Sequence, residues 1–163
     1  MHFRTGIGQD SHRFPEDEDG GPLRIGGIDI PFERRLMGNS DADVVLHALC
    51  NAISGISGIP VLGPVTDRLC FEEKILDSSV YVQSALQTLG DTKITHISIS
   101  IECRKPPILP HIDKMRKRIA EIVNLTPSDV GITATSGEGL TDFGRGLGIQ
   151  AIVIVSAFSL NDH

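Results

Sequence analysis

Residues 94–103 read ITHISISIEC, with Ile97, Ile99 and Ile101 on one side of an extended chain and Ser98, Ser100 and Glu102 on the other. Side chains of a strand point alternately to its two faces, so this period of two predicts a half-buried strand. An alternating rather than continuous apolar pattern argues for a sheet with helices on one face, and against a parallel sheet buried on both.

The other segments fit around such a sheet. A first strand is expected over Met1 to Asp10, closed by PEDEDGGP, whose acidic run is a solvated turn. LRIGGIDIPFE predicts a small hairpin or bend, with Gly26 and Gly27 at its turn and Pro31 limiting it to an edge. NSDADVVLHALCNAISGI opens on a capping box, Ser40 accepting from the Asp43 amide while the Asp43 carboxylate reaches back, and predicts a helix from about Ala42 to Ser54. The glycines and prolines of residues 55–71, GISGIPVLGPVTDRLCF, predict a long loop. A second helix is expected from about Ser79 to Leu89, capped by Asp77 or Ser78, with Val82, Leu86 and Leu89 inward. RKPPILPHIDKMRKRIAEIVN is a proline-stiffened loop leading into a third helix striped by Ile112, Met115, Ile119 and Ile122. TPSD at Thr126 is a capped turn, and DVGITATSG and LGIQAIVIVSAF are strands joined by glycine-rich GEGLTDFGRG. The expected fold class is α+β: about four strands, three helices on one face and a small hairpin, forming one domain over residues 1–163.

Bulk properties narrow the function. The chain is 40% hydrophobic with six Phe, one Tyr and no Trp, so its core is aliphatic. A net charge of −6 disfavours a nucleic-acid partner, since a phosphate backbone selects a basic face. A phosphorylated small molecule stays open, because one local set of donors or a metal can bind it. Cys50, Cys70 and Cys103 are odd in number and have no C-x-x-C spacing, which predicts buried structural thiols. No run approaches the ~18 apolar residues of a membrane span, and MHFRTGIGQD has no apolar leader core, so no membrane association and a cytoplasmic location are expected.

Two sets of residues could carry chemistry. Asp10 and His12, at i and i+2 on an extended backbone, project to the same side within reach of one ion. A catalytic zinc takes three protein ligands and keeps one position open, and His47 is a candidate third. Taken singly, an Asp-x-His pair is also compatible with a polar turn, and a helical histidine with core or surface. Residues 133–148, TATSGEGLTDFGRGLG, combine hydroxyls on Thr133, Thr135 and Ser136 with Glu138, Arg145 and open backbone amides. That mixture suits phosphate and a divalent cation, though it also fits a glycine-rich hairpin. KPPILPHI is either a rigid lid for a flat ligand or a turn before a helix.

In order, GQDSHRF, IGGIDIPFE, NSDADVVLHAL, KPPILPHI, ITATSGEGL and GRGLGI resemble the 2-C-methyl-D-erythritol 2,4-cyclodiphosphate synthase family, over about Thr5 to Val155. The resemblance implies a homotrimer of α+β subunits with active sites between neighbours. It implies conversion of 4-diphosphocytidyl-2-C-methyl-D-erythritol 2-phosphate to the cyclic diphosphate with release of CMP. Carried over by position, Asp10, His12 and His47 hold zinc and Glu138 holds a second divalent cation, Mg or Mn. Glu138 and Ser136 become the catalytic positions, Ser136 standing where a threonine contacts phosphate. Asn39, Ser40 and Asp41 meet the erythritol phosphate, and Pro106, Pro107, Ile108, Leu109 and Pro110 enclose the cytosine. Asp10, His12, Thr135, Ser136, Gly137, Glu138, Phe143 and Arg145 complete the substrate contacts.

The chain also departs from the pattern. Asn39 stands for a histidine, Asn51 for an acid, Pro107 and Gly139 for lysines, and Ile152 for a glutamate near the trimer axis; of the family's loop over residues 55–71, only the length and Asp67 are kept. The four metal-binding positions are kept together, which argues for a divergent active synthase. The alternatives are a non-catalytic trimer binding a nucleotide or isoprenoid diphosphate, and a zinc-dependent phosphohydrolase.

Overall fold

The structure is a computed structural model and describes residues 2–160. Its centre is a four-stranded sheet in the order β1-β6-β4-β5, from β1 (His2–Arg13), β4 (Lys93–Glu102), β5 (Val130–Thr135) and β6 (Gly148–Ser159). β6 runs antiparallel to both β1 and β4, whereas β5 is parallel to β4. That parallel pair is joined across one face by helix α4 (Ile112–Val123), as a parallel crossover requires. The expected alternation holds: Ile97, Ile99, Ile101, Val130, Ile149, Ala151, Val153 and Val155 are buried beneath the helices. The first strand extends to Arg13 rather than closing at Asp10, because all of residues 2–13 pair with β6. Met1, placed on that strand by the sequence, lies outside the described residues.

Helix α1 (Val44–Ser57) lies directly on β1. At Gly6 a Cβ would sit 2.0 Å from the Ala52 carbonyl oxygen, and at Gly8 2.1 Å from that of Ala48, so only glycine permits this approach. Gly6, Gly8, Asp10 and His12 occupy one face of β1 at intervals of two, which carries the helix toward Asp10 and His12.

The capping box expected at Ser40 does not form, and the cap is Asp43. Ala42 takes a left-handed φ of 54°, so the helix starts only at Val44. The Asp43 carboxylate is fully buried and accepts from Val45 N (3.2 Å), Leu46 N (3.0 Å), Gly26 N (2.8 Å) and Gly27 N (2.6 Å). The last two belong to the turn between β2 (Leu23–Ile25) and β3 (Ile28–Ile30), the predicted hairpin. One side chain thus closes the helix and fastens the hairpin to it.

Gly55 does not end α1, which continues to Ser57 and stops at Gly58 in the left-handed region. Packing on β1 overrides the glycine's low helix propensity. The expected loop over residues 55–71 is therefore shorter, and it contains a short helix α2 (Pro64–Asp67) followed by a π-turn over Arg68–Glu72. Helix α3 (Ser78–Gln87) is capped by Asp77, whose carboxylate accepts from Ser79 N at 2.8 Å. It buries Val82 as expected but also Tyr81 and Ala85, while Leu89 is buried beyond its end and Leu86 is half-buried. α4 buries Met115, Ile119 and Ile122, with Ile112 at its margin, and the capped turn at Thr126 is present, closed by Asp129. Cys50, Cys70 and Cys103 are buried and unpaired in disulfides, and burial pushes the Cys103 thiol up to about 12. No helix among the described residues is long and apolar enough to cross a membrane.

Candidate metal centre

Asp10 and His12 arrive on the inner face of β1 and His47 on the first turn of α1, where glycine packing has brought the two elements together. Asp10 Oδ2 lies 2.9 Å from His12 Nε2 and 3.1 Å from His47 Nδ1, and the two nitrogens are 3.1 Å apart. These three make up the group of potential ligands found among the described residues.

The outer nitrogens decide what the inner ones can be. His12 Nδ1 lies 2.7 Å from the Met37 carbonyl oxygen, which only accepts, so that nitrogen carries the proton. His47 Nε2 lies 2.9 Å from Ser78 Oγ, and the Ser78 hydroxyl donates to Asp41 Oδ1, so it accepts from His47. In the neutral rings, His12 Nε2 and His47 Nδ1 are therefore both lone pairs facing a carboxylate oxygen. Three lone pairs about 3 Å apart repel unless a cation or a proton lies among them. An N, N, O donor set with each imidazole anchored through its far nitrogen matches the way proteins prepare histidines for zinc.

Without a metal the same geometry is an ion pair. Burial alone would raise the Asp10 pKa, but contacts with His12 and His47 overcome it and hold the carboxyl far below the ordinary range. For His12, burial lowers the pKa and the Asp10 carboxylate more than restores it, leaving a net rise.

The triad opens into a cavity of about 220 Å³ whose wall includes Asn39 and Ser40 and whose roof includes Leu62, Thr66, Asp67, Cys70 and Phe71 from the α2 segment. Cys70 Sγ–H donates to the Asn39 carbonyl at 3.1 Å, and the His47 ring stacks on Tyr81 with centroids 6.2 Å apart. Asp41 lines the neighbouring, larger cavity of about 750 Å³ with Arg24 and Arg35 and is absent from the lining of the triad's cavity.

The remaining candidates form a second group. The Pro106–Pro110 segment follows β4, and Thr135 ends β5 with Ser136 to Glu138 after it; the two are held together where Cys103 N donates to the Thr135 carbonyl at 2.9 Å. Ser136 Oγ accepts from Glu138 N at 3.4 Å, Thr135 Oγ1 accepts from Gly137 N at 3.3 Å, and Glu138 is exposed with a φ of 50°. Arg145 is paired with Asp142 at 2.5 Å, and Phe143 lines a cavity of about 670 Å³ with His12, Arg13 and Phe14. β5 and β1 are opposite edges of the sheet, and none of residues 106–110 or 135–138 lines the cavity of the triad. One chain thus separates the triad from residues 106–110 and 135–138, while Phe143 shares a cavity with His12.

Sequence reasoning missed Ser78, Met37 and Tyr81. In the sequence Ser78 reads only as a helix cap, and Met37 acts through its backbone, which no side-chain pattern reveals.

The YgbB family model matches residues 3–157. A 2-C-methyl-D-erythritol 2,4-cyclodiphosphate synthase of Chlamydia trachomatis serovar L2b is 45% identical over 155 residues, covering 94% of this chain and 87% of that protein. Its counterpart in Chlamydia muridarum is 44% identical over the same shares. Among solved structures, a 2C-methyl-D-erythritol-2,4-cyclodiphosphate synthase in a CDP-bound form superimposes with a TM-score of 0.81 at 28% identity, covering 95% of this chain and 100% of that one. The bifunctional IspDF of Campylobacter jejuni superimposes with a TM-score of 0.88 at 25% identity; this chain covers 43% of its length, with 98% of this chain matched.

Proposed function

The chain belongs to the YgbB family, and from that premise we propose that it has 2-C-methyl-D-erythritol 2,4-cyclodiphosphate synthase activity. Its substrate is 4-diphosphocytidyl-2-C-methyl-D-erythritol 2-phosphate and its products are the cyclic diphosphate and CMP. The observation that carries the site assignment is the convergence of three lone pairs, from Asp10, His12 and His47, beneath a small cavity.

In the reaction an oxygen of the substrate's 2-phosphate attacks the β-phosphorus. A new P–O bond closes the ring, the bond from that phosphorus to the CMP oxygen breaks, and CMP leaves with the electron pair. No protein nucleophile is required, because phosphoryl transfer depends mainly on alignment and on neutralising charge. Asp10, His12 and His47 would hold zinc, and Glu138 would hold Mg or Mn. Bound cations supply charge neutralisation and Lewis acidity at the phosphate oxygens. Asn39 and Ser40 orient the erythritol end at the cavity wall, and the roof of Leu62 and Phe71 keeps water from the reacting phosphates. Pro106 to Pro110 enclose the cytosine, while Ser136 and the amides near Gly137 donate to the diphosphate.

The two groups of residues meet between subunits of a cytoplasmic homotrimer. Supporting this assembly, the uncovered face of the sheet exposes Phe3 (80%), Ile7 (67%), Ile152 (38%) and Ile154 (41%). Purified protein loaded with zinc and Mg should release CMP from the cytidylyl substrate and stop on chelation. Loaded trimer that releases none would overturn the assignment.

A further inference from the structure

His47 presents Nδ1 to Asp10 and His12 and Nε2 to the opposite side, where Ser78 Oγ lies 2.9 Å away. Ser78 is fully buried and is the first residue of α3. Its hydroxyl donates to Asp41 Oδ1, and its amide donates to Asp41 Oδ2 at 3.0 Å. Asp41 is fixed in turn: its carboxylate also accepts from Asp43 N at 3.2 Å, and its own amide donates to the Leu76 carbonyl at 3.0 Å. The chain of donors has one consistent direction. Asp41 can only accept, so Ser78 donates to it, and the free lone pairs of Ser78 Oγ then accept the Nε2 proton of His47. Ser40 Oγ, 3.3 Å from the same nitrogen, is a weaker second acceptor.

We propose that Ser78 and Asp41 are positioning residues of the metal centre, holding His47 in the Nε2–H tautomer so that its Nδ1 lone pair stays aimed at the position shared with Asp10 and His12. This rests on the reading of the triad as a metal site, and it gives Asp41 a role away from the substrate. It also ties the metal to the segment behind the roof, since Ser78 opens α3 and Asp41, which lies just before α1, is anchored to the Leu76 carbonyl on the stretch leading from the π-turn to α3. A histidine free to adopt the other tautomer would present N–H to the ion. Outer partners of ligating histidines typically contribute about 10–100-fold in metal affinity.

The test is zinc affinity, by competition with a chromophoric chelator, for the parent, Ser78→Ala, Asp41→Asn and the neighbouring control Ser79→Ala. Each variant's thermal unfolding is recorded without metal. Ser78→Ala should bind zinc about 10–100-fold more weakly, Asp41→Asn should fall between it and the parent, and Ser79→Ala should match the parent. Long-range ¹H–¹⁵N spectra of metal-free parent with its imidazoles neutral, at alkaline pH, should show the Nε2–H tautomer of His47, and Ser78→Ala should show a mixture. The tautomer of the parent is read without any substitution, so a variant that failed to fold would not remove the test. Affinity of Ser78→Ala within twofold of the parent, or an Nδ1–H tautomer in the parent, would overturn the proposal. A parent that binds no zinc would instead overturn the triad as a metal site.

Discussion

Asp10 and His12 make the centre sensitive to pH in opposite directions. Asp10 has a folded pKa held below its ordinary 3.8, so its contribution to metal-free stability is present above that value and is lost as pH falls toward the depressed one. His12 has a folded pKa raised above 6.5, so its contribution is complete below 6.5 and is lost as pH rises through the raised value. Metal-free protein should therefore draw most from this pair between about pH 4 and 6.5, which urea titrations across pH will report. Metal binding needs neutral histidines, so zinc affinity should fall as pH drops below the raised His12 pKa, with proton release measurable by calorimetry in buffers of differing ionisation enthalpy. His47→Ala removes one of the three proposed ligands and should abolish stoichiometric zinc by elemental analysis while leaving the fold intact. The Asp10/His12 pair was legible from its spacing of two, and His47 from its place on an amphipathic helix. Ser78 was not, because a serine after an aspartate at a helix start looks the same whether or not its hydroxyl meets a ligand.

At the level of elements, the site depends on how closely α1 lies on β1. Gly8→Ala would place a Cβ 2.1 Å from the Ala48 carbonyl, so the helix must move away and take His47 with it. It should cost about 1–3 kcal/mol or more in denaturant unfolding and weaken zinc binding as well. Asp43→Ala should cost more than the ~1 kcal/mol of an ordinary cap, on the order of 3 kcal/mol, because it also orphans the buried amides of Gly26 and Gly27. The strands, the hairpin and three helices were legible because each has a clear hydrophobic period. The cap at Asp43 and the helix within residues 55–71 were not. The first competes with Ser40 for the same local pattern, and the second is a single turn set by packing over the triad rather than by its own propensity.

For the whole molecule, the triad and the Glu138 group stand at opposite edges of one sheet, so activity is expected to require assembly. Replacing Ile7 and Ile154, which are paired neighbours on the uncovered face, with glutamate should reduce the mass in solution to that of one chain. CMP release should disappear while zinc stays bound, since the three ligands come from one chain. Sequence alternation made the single-sided sheet readable, but in the proposed assembly the two groups would meet between neighbouring chains, which no pattern within one chain specifies. The proposed cyclisation is read most directly by ³¹P NMR of the zinc- and Mg-loaded protein with the cytidylyl substrate. CMP and a cyclic diphosphate with two coupled phosphorus signals should appear in equal amounts. Inorganic phosphate without cyclic product, or unchanged substrate, would contradict it.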